Sequence, residues 1–194
     1  MSRHPEAAVR EQQDESGRTV EQEPGPHVPT VLVAYASKNR GTAQMAHWIG
    51  DTIAAEGLGA EVRAAAAVTD VHGYDAVVLG SGLHEGRWLR DTVRFARRNR
   101  RELLRMPVWL FSSGPLDDSA STHEVPPVPE ATRVADRVDA RANTTFGGRL
   151  REGTRGFLAR MLVRSGRAGD FRDREQVRTW ALAIAHEVAA RSAG

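Results

Sequence analysis

Val31-Leu32-Val33-Ala34-Tyr35-Ala36-Ser37-Lys38-Asn39-Arg40-Gly41-Thr42 is the stretch that decides how the chain folds. Val31 and Val33 put β-branched side chains at alternate positions of a short apolar run, which stops at two hydroxyl residues, Ser37 and Thr42, bracketing Lys38-Asn39-Arg40-Gly41. A helical pattern follows directly, so the reading is strand, turn, helix start. The first N–H groups of a helix have no intrahelical partner and the macrodipole adds roughly half a positive charge there, so the junction suits a phosphate group. Ser37 and Thr42 offer hydroxyl donors, and Lys38 and Arg40 offer positive charge.

Working outward, Met45, Ala46, Ile49, Ile53 and Ala54 recur at helical spacing over Thr42 to Glu56, and Gly57 and Gly59 end the helix. A second strand is expected from Ala60 to about Ala65. Tyr74 to Ser81 is a continuous apolar run of the kind a strand covered on both faces requires. It opens into a loop, Gly82 to Arg87, and a helix is expected from Trp88 to Leu104 with Leu89, Val93, Ala96 and Leu103 inward. Arg90, Arg94, Arg97, Arg98 and Arg101 surround the rest of that helix and read as a solvated face, since no aromatic or glycine-rich element for nucleic acid accompanies them. Met106 to Ser112 is a fourth strand, the stretch to about Pro129 a loop, Glu130 to Asp139 a short helix, and Asn143 to Gly148 a fifth strand. Arg149 to Asp170 is basic and amphipathic, with Phe157, Leu158, Met161 and Leu162 at helical spacing; it reads as packing on the domain's own core, with peripheral contact to an anionic membrane as the sharper alternative. The last helix, about Glu175 to Ala190, puts Val177, Trp180, Ala181, Ile184 and Val188 on one face.

Strand and helix alternate five times, which calls for a parallel sheet with helices on both faces. Ligands in such sheets bind outside the carboxyl ends of the strands. The loops that follow the first, third and fourth strands all lie at that edge.

Composition narrows the chemistry. At 194 residues with 40% hydrophobic content the chain fits one globular domain plus a tail. It contains no cysteine, which excludes disulfides, cysteine-ligated zinc, iron–sulfur clusters and thiol catalysis, so redox chemistry must come from a bound cofactor. The seven histidines are scattered without metal spacing. No apolar stretch has the roughly 18 to 20 residues of a membrane span, and the polar N-terminus lacks the apolar core of a signal peptide, so the chain reads as cytoplasmic. Lys38 is the single lysine among 27 basic residues. Residues 1–30 hold three arginines against six carboxylates, a net of −3, which leaves +5 on the remainder of a chain whose total is +2. With almost no large apolar side chains, that leader is expected to be a disordered extension ahead of a domain over residues 31–192.

The turn after the first strand carries neither the Gly-x-Gly-x-x-Gly of a dinucleotide site nor the Gly-x-x-x-x-Gly-Lys-Ser/Thr of a nucleotide loop. A phospho-receiver would need an aspartate ending the third strand, where this chain has Gly80-Ser81-Gly82. What remains is a hydroxyl-bracketed phosphate loop with two further loops placed to sandwich a flat group, and flavin mononucleotide is the physical match.

Four motifs also carry a resemblance: Tyr35 to Thr42, Gly80-Ser81-Gly82-Leu83-His84-Glu85-Gly86, Phe111-Ser112-Ser113-Gly114-Pro115-Leu116, and the C-terminal stretch from Gly147-Gly148-Arg149-Leu150 to Trp180. In this order they resemble the flavodoxin-domain family that includes the menaquinone-dependent protoporphyrinogen oxidases, over about residues 31 to 190. The resemblance implies an α/β, flavodoxin-like three-layer sandwich whose five-stranded parallel sheet has the order 2-1-3-4-5. It implies that the FMN phosphate is held by Ser37, Lys38, Asn39, Arg40, Gly41 and Thr42. The isoalloxazine ring would then lie between Ser81, Gly82, Leu83, His84 and Gly86 on one side and Ser112, Ser113, Gly114, Pro115 and Leu116 on the other. Two departures stand out: such loops usually carry glycine where this chain has Arg40, and Trp88 is the nearest aromatic to either ring-facing loop.

Two functions fit this reading. One is an FMN-dependent oxidoreductase that takes electrons from a small organic donor, with a porphyrinogen implied by the resemblance, and passes them to a quinone or redox-protein acceptor. The other is non-enzymatic, either a flavodoxin-type electron carrier or a flavodoxin-like module that has lost its flavin. Carrier flavodoxins resemble one another in being strongly acidic, and the +5 body departs from that.

Overall fold

The apolar run that opens the domain becomes strand β1 (Thr30–Ala36), and the helical pattern after it becomes helix α1 (Gly41–Ala55). The structure, a computed structural model, describes residues 27–114, 125–150 and 169–192. The chain continues through β2 (Gly59–Ala64), β3 (Ala76–His84), β4 (Arg87–Trp88), α2 (Arg90–Arg98), α3 (Arg100–Leu103), β5 (Val108–Ser113), α4 (Pro129–Val138) and β6 (Ala142–Phe146). It ends with β7 (Arg149–Leu150), β8 (Gly169–Asp170) and α5 (Arg174–Ser192).

Five strands pair in parallel in the order β2-β1-β3-β5-β6, which is the expected 2-1-3-4-5 arrangement of the main strands. Side chains of a strand alternate between faces, and β1 feeds two separate cores in this way. Val31 and Val33 meet Met45, Ile49 and Ile53 of α1 and Val177, Ile184 and Val188 of α5. Leu32 and Ala34 face the opposite layer with Phe95 of α2, Leu103 of α3, and Val134 and Val138 of α4. Fully burying one such aliphatic side chain contributes about 1.5–3 kcal/mol, so the sheet is held from both sides.

The structure departs from the sequence reading in three places. The expected loop over Gly82 to Arg87 is instead the end of a strand and a hairpin: β3 runs on to His84 and turns at Glu85 and Gly86, both at positive φ (52° and 73°), into antiparallel β4. A two-residue turn of that hand matches the twist of the flanking strands. The single helix expected from Trp88 to Leu104 is two helices, with Trp88 in β4. It breaks at Asn99 (φ −96°, ψ 17°), whose side-chain amide donates at 3.1 Å to Phe95 O, the same carbonyl that accepts its backbone N–H at 3.0 Å. The fourth main strand begins at Val108 and not Met106, since Pro107 has no N–H to give to a ladder.

The basic stretch from Arg149 begins and ends in a small antiparallel ribbon, with Arg149 opposite Asp170 and Leu150 opposite Gly169. The amphipathic side chains Phe157, Leu158, Met161 and Leu162 lie outside the described residues, as do the leader through residue 26, Pro115 and Leu116.

Candidate functional site

At the carboxyl end of β1 the chain bends through Ser37, Lys38, Asn39 and Arg40 and enters α1 at Gly41. Ser37 is half-buried, while Lys38, Asn39 and Arg40 are exposed. The first turn of α1 is closed by Gln44 N donating to Arg40 O at 3.0 Å, and among the described residues no loop or cap hydrogen bond uses the N–H groups of 38–43. An uncapped helix start with its amides free is an anion site by construction. Arg40 caps the helix at φ 60°, ψ −4°, with no side-chain cap hydrogen bond. That left-handed conformation costs a residue with a Cβ about 1–2 kcal/mol, which explains physically why glycine suits the position. Arg40 holds the turn despite its side chain, and its guanidinium stays at the surface.

Thr42 plays a different part from Ser37. It is only 3% exposed, and its Oγ1 lies 2.8 Å from the point a Cβ on Gly82 would occupy. The β1–α1 turn and the end of β3 therefore touch at Thr42 and Gly82, and a side chain at Gly82 would push them apart.

The two expected ring walls are more closed than the β1–α1 turn. Ser81 and Ser112 are fully buried. Leu89 N–H donates to Ser81 Oγ at 2.9 Å, Ser81 Oγ donates to Gly82 O at 3.1 Å, and Trp88 Nε1–H donates to Ser112 Oγ at 2.8 Å. These hydroxyls fasten the β3–β4 hairpin to the sheet. Trp88, 5% exposed, belongs to the α2-side core and presents no face at the surface. Gly114 sits at φ 137° with Leu83 Cβ and Cδ1 3.3 Å from the position of a Cβ, so Leu83 fills the space directly over it. Ser113 is 8% exposed, while His84 and Gly86 stand out on the hairpin, with the His84 Nε2 4.0 Å from Glu85 Oε1.

Two residues that sequence reading did not assign to the site frame the start of α1. Arg149 passes over Gly41, its Cβ 3.5 Å from where a Cβ on that glycine would be, and its Nη1 donates to Gln44 Oε1 at 3.4 Å. The Arg172 side chain is 2% exposed and lies across the same turn. It donates to Asp170 through Nε (2.7 Å) and Nη2 (2.6 Å), and through Nη1 to Gly41 O (3.2 Å) and Gln44 Oε1 (3.1 Å), while its guanidinium carbon lies 4.8 Å from the Trp48 ring centroid. A two-pronged ion pair and a ring face together compensate the desolvated charge. The hydrogen bonds from Arg172, ahead of the opposing cost of burial, hold the Asp170 carboxyl below its ordinary pKa. The one sequence signal for this arrangement is Gly147-Gly148: a Cβ at Gly147 would lie 1.8 Å from Phe171 O, so only glycine lets the returning chain press so close.

From the β1–α1 turn, on the α2 side, an open groove of about 1230 Å³ reaches from Ser37, Lys38 and Arg40 past the hairpin to Arg90, Arg94 and Arg97. Of the expected cofactor residues, Ser37, Lys38, Arg40 and His84 line it, while Ser112, Ser113 and Gly114 do not.

A family model described as a flavodoxin domain matches residues 32–173, which contain the whole of this edge. The chain belongs to the flavodoxin-domain family. No curated protein matches it significantly. Among solved structures this flavodoxin domain is similar to flavodoxin 2 from Bacillus cereus, at 18% identity over 81% of this chain and 99% of that one with a TM-score of 0.55. A flavodoxin from the domain Archaea shares 14% identity over 82% and 99% of the two chains at a TM-score of 0.53. The rubredoxin oxygen:oxidoreductase of Desulfovibrio gigas shares 15% identity at a TM-score of 0.57 over 86% of this chain, which spans 38% of that larger protein. Likeness at such identities speaks for the fold; the family match implies FMN as cofactor and electron transfer as the general role. The residues fit FMN at the phosphate end, where free amides, Ser37 and surrounding cations meet. Among the described residues the ring end is drawn in at Leu83 and Gly114. No helix among them is long and apolar enough to cross a membrane.

Proposed function

We propose that residues 31–192 form an FMN-binding domain and that the protein is an FMN-dependent oxidoreductase, taking electrons from a small organic donor and passing them to a quinone or a redox-protein acceptor. The observation that carries this reading is the uncapped start of α1, whose free amides lie among Ser37, Lys38, Arg40 and Arg149 and suit a phosphate monoester. Bound FMN would supply the two-electron chemistry, and the chain's own residues would do the rest. Lys38 and Arg40 neutralise the phosphate, Arg172 and Asp170 hold the turn that presents the amides, and the exposed His84 stands where a donor would approach the hairpin. The resemblance to protoporphyrinogen oxidases makes a porphyrinogen the first donor to try.

A flavodoxin-like module without flavin is the second reading, and Leu83 lying against Gly114 favours it. One titration separates the two. Purified protein is mixed with FMN and followed by absorption and by quenching of flavin fluorescence. Binding at micromolar concentration supports the oxidoreductase; no binding sinks it. Photoreduced holoprotein is then challenged with a menaquinone analogue, and failure to reoxidise removes the quinone as acceptor.

A further inference from the structure

The groove on the α2 side shares Ser37, Lys38 and Arg40 with the proposed phosphate site and runs on to a basic wall that the FMN reading does not use. Arg90, Arg94 and Arg97 recur at i, i+4 and i+7, one face of a helix, and Arg87 joins them from β4. Of the carboxylates on the same walls, Asp91 lies 3.9 Å from Arg94 of this set, while Glu130 is 3.8 Å from Arg133 and Glu85 sits beside His84. Among the described residues no ion pair involves Arg87, Arg90 or Arg97. Unpaired like charges held side by side repel one another, and an anionic surface laid over them relieves that cost.

We propose that this groove docks an acidic redox protein, the electron-exchange partner of the domain. The inference rests on the electron-transfer reading, and it narrows the partner to a macromolecule of negative charge. A small anion is a poor fit, because all four guanidinium side chains belong to exposed residues and Arg90 to Arg97 span about 10 Å of helix without converging on one point. An anionic membrane is a poorer fit. The exposed large apolar side chains among the described residues are Val28 and Leu104, which precede β1 and β5 at the opposite edge of the sheet, so none of the described residues beside the groove is suited to insert into lipid. Single-stranded nucleic acid stacks its bases on exposed rings, and the tryptophan of this groove, Trp88, is 5% exposed. A protein seated here lies against Lys38 and Arg40 at the phosphate loop and against His84 on the hairpin, so docking brings it to the cofactor edge.

The test uses the full chain, with and without FMN, and cytochrome b5 as an acidic redox probe against cytochrome c as a basic one. Calorimetric titration is expected to show cytochrome b5 binding at low ionic strength, weakening steadily as salt is raised, and no binding of cytochrome c. R90E/R97E should weaken cytochrome b5 binding about tenfold or more and slow its reduction by the photoreduced holoprotein, while FMN affinity stays unchanged. R101E/R105E changes net charge equally on exposed arginines outside the groove and should leave binding intact. Equal losses in both variants, preference for cytochrome c, or no binding to cytochrome b5 overturns the proposal. So does binding confined to phosphatidylserine vesicles or to an oligonucleotide, and so does an affinity that appears only after removal of the acidic residues 1–26. Failure to bind FMN is a separate result: it defeats the electron-transfer reading while the calorimetry still measures the docking.

Discussion

Two regions share the carboxyl edge of the sheet and treat their polar groups in opposite ways. The β1–α1 turn leaves its amides open and keeps a residue in a left-handed conformation to do so. The ends of β3 and β5 turn their hydroxyls inward: Ser81 and Ser112 are buried and bonded to Leu89 N–H and to the Trp88 indole. Both sites carry the serines and glycines associated with ligand loops, so residue type does not decide the matter. What decides it is whether a neighbouring backbone or ring takes up the hydrogen bonds. Among the described residues nothing does so in the first region, and in the second the β3–β4 hairpin does.

The comparison can be broken experimentally, beginning with the contact that holds the first region in place. Gly147→Ala puts a methyl group where the carbonyl of Phe171 stands, and backbone cannot move aside cheaply. A loss of about 2–4 kcal/mol in chemical unfolding is expected, together with weaker FMN binding. Unchanged unfolding would mean that the returning chain does not pack on the turn.

A paired test comes next. Ser112→Ala leaves the buried Trp88 N–H without an acceptor and should cost about 1–3 kcal/mol of stability with FMN affinity unaffected. Ser37→Ala should do the reverse, leaving unfolding unchanged and weakening FMN binding by about 1–3 kcal/mol, as expected for one lost donor to a charged group. If both variants move the same observable, the two regions are not as distinct as their hydrogen bonds indicate.

Asp170 offers a pH readout. Its carboxyl is held below the ordinary value of 3.8, chiefly by the Arg172 hydrogen bonds, so its contribution is present above that value and is lost as pH falls through the lower, folded pKa. With its side chain 44% exposed, the advantage of the native protein over Asp170→Asn should be about 1 kcal/mol near pH 7 and should close below pH 3.8. A gap that persists at pH 2 would assign the effect to packing.

The smallest change is expected from Arg40→Gly. Relief of the left-handed conformation, less the greater freedom of an unfolded glycine, should raise stability by about 0.5 kcal/mol. FMN affinity should fall through loss of a cation, and a rise would show that the side chain obstructs the phosphate.

The sheet was legible because β1 and β3 write their burial into unbroken apolar runs, and the β1–α1 turn because the strand end and the helix start are adjacent in sequence. The hairpin was missed since Glu85-Gly86 is a weaker turn signal than Asn-Gly or Asp-Gly, and because a polar His84 looks like the start of a loop. The break at Asn99 was hidden by an arginine pattern that runs through both α2 and α3 without interruption. Arg149 and Arg172 escaped for another reason. Their partners Gln44 and Gly41 are 105 and 131 positions away, and no local periodicity reports contacts of that range.

The β7–β8 ribbon has a consequence for how such a chain evolves. Arg149 and Asp170 are already paired on either side of residues 151–168, so both ends of that stretch are moored to each other. Lengthening a loop whose ends are fixed costs only about 0.6 kcal/mol per doubling. The ribbon thus brackets, beside the β1–α1 turn, a stretch whose length can change at small cost to the sheet and its two cores.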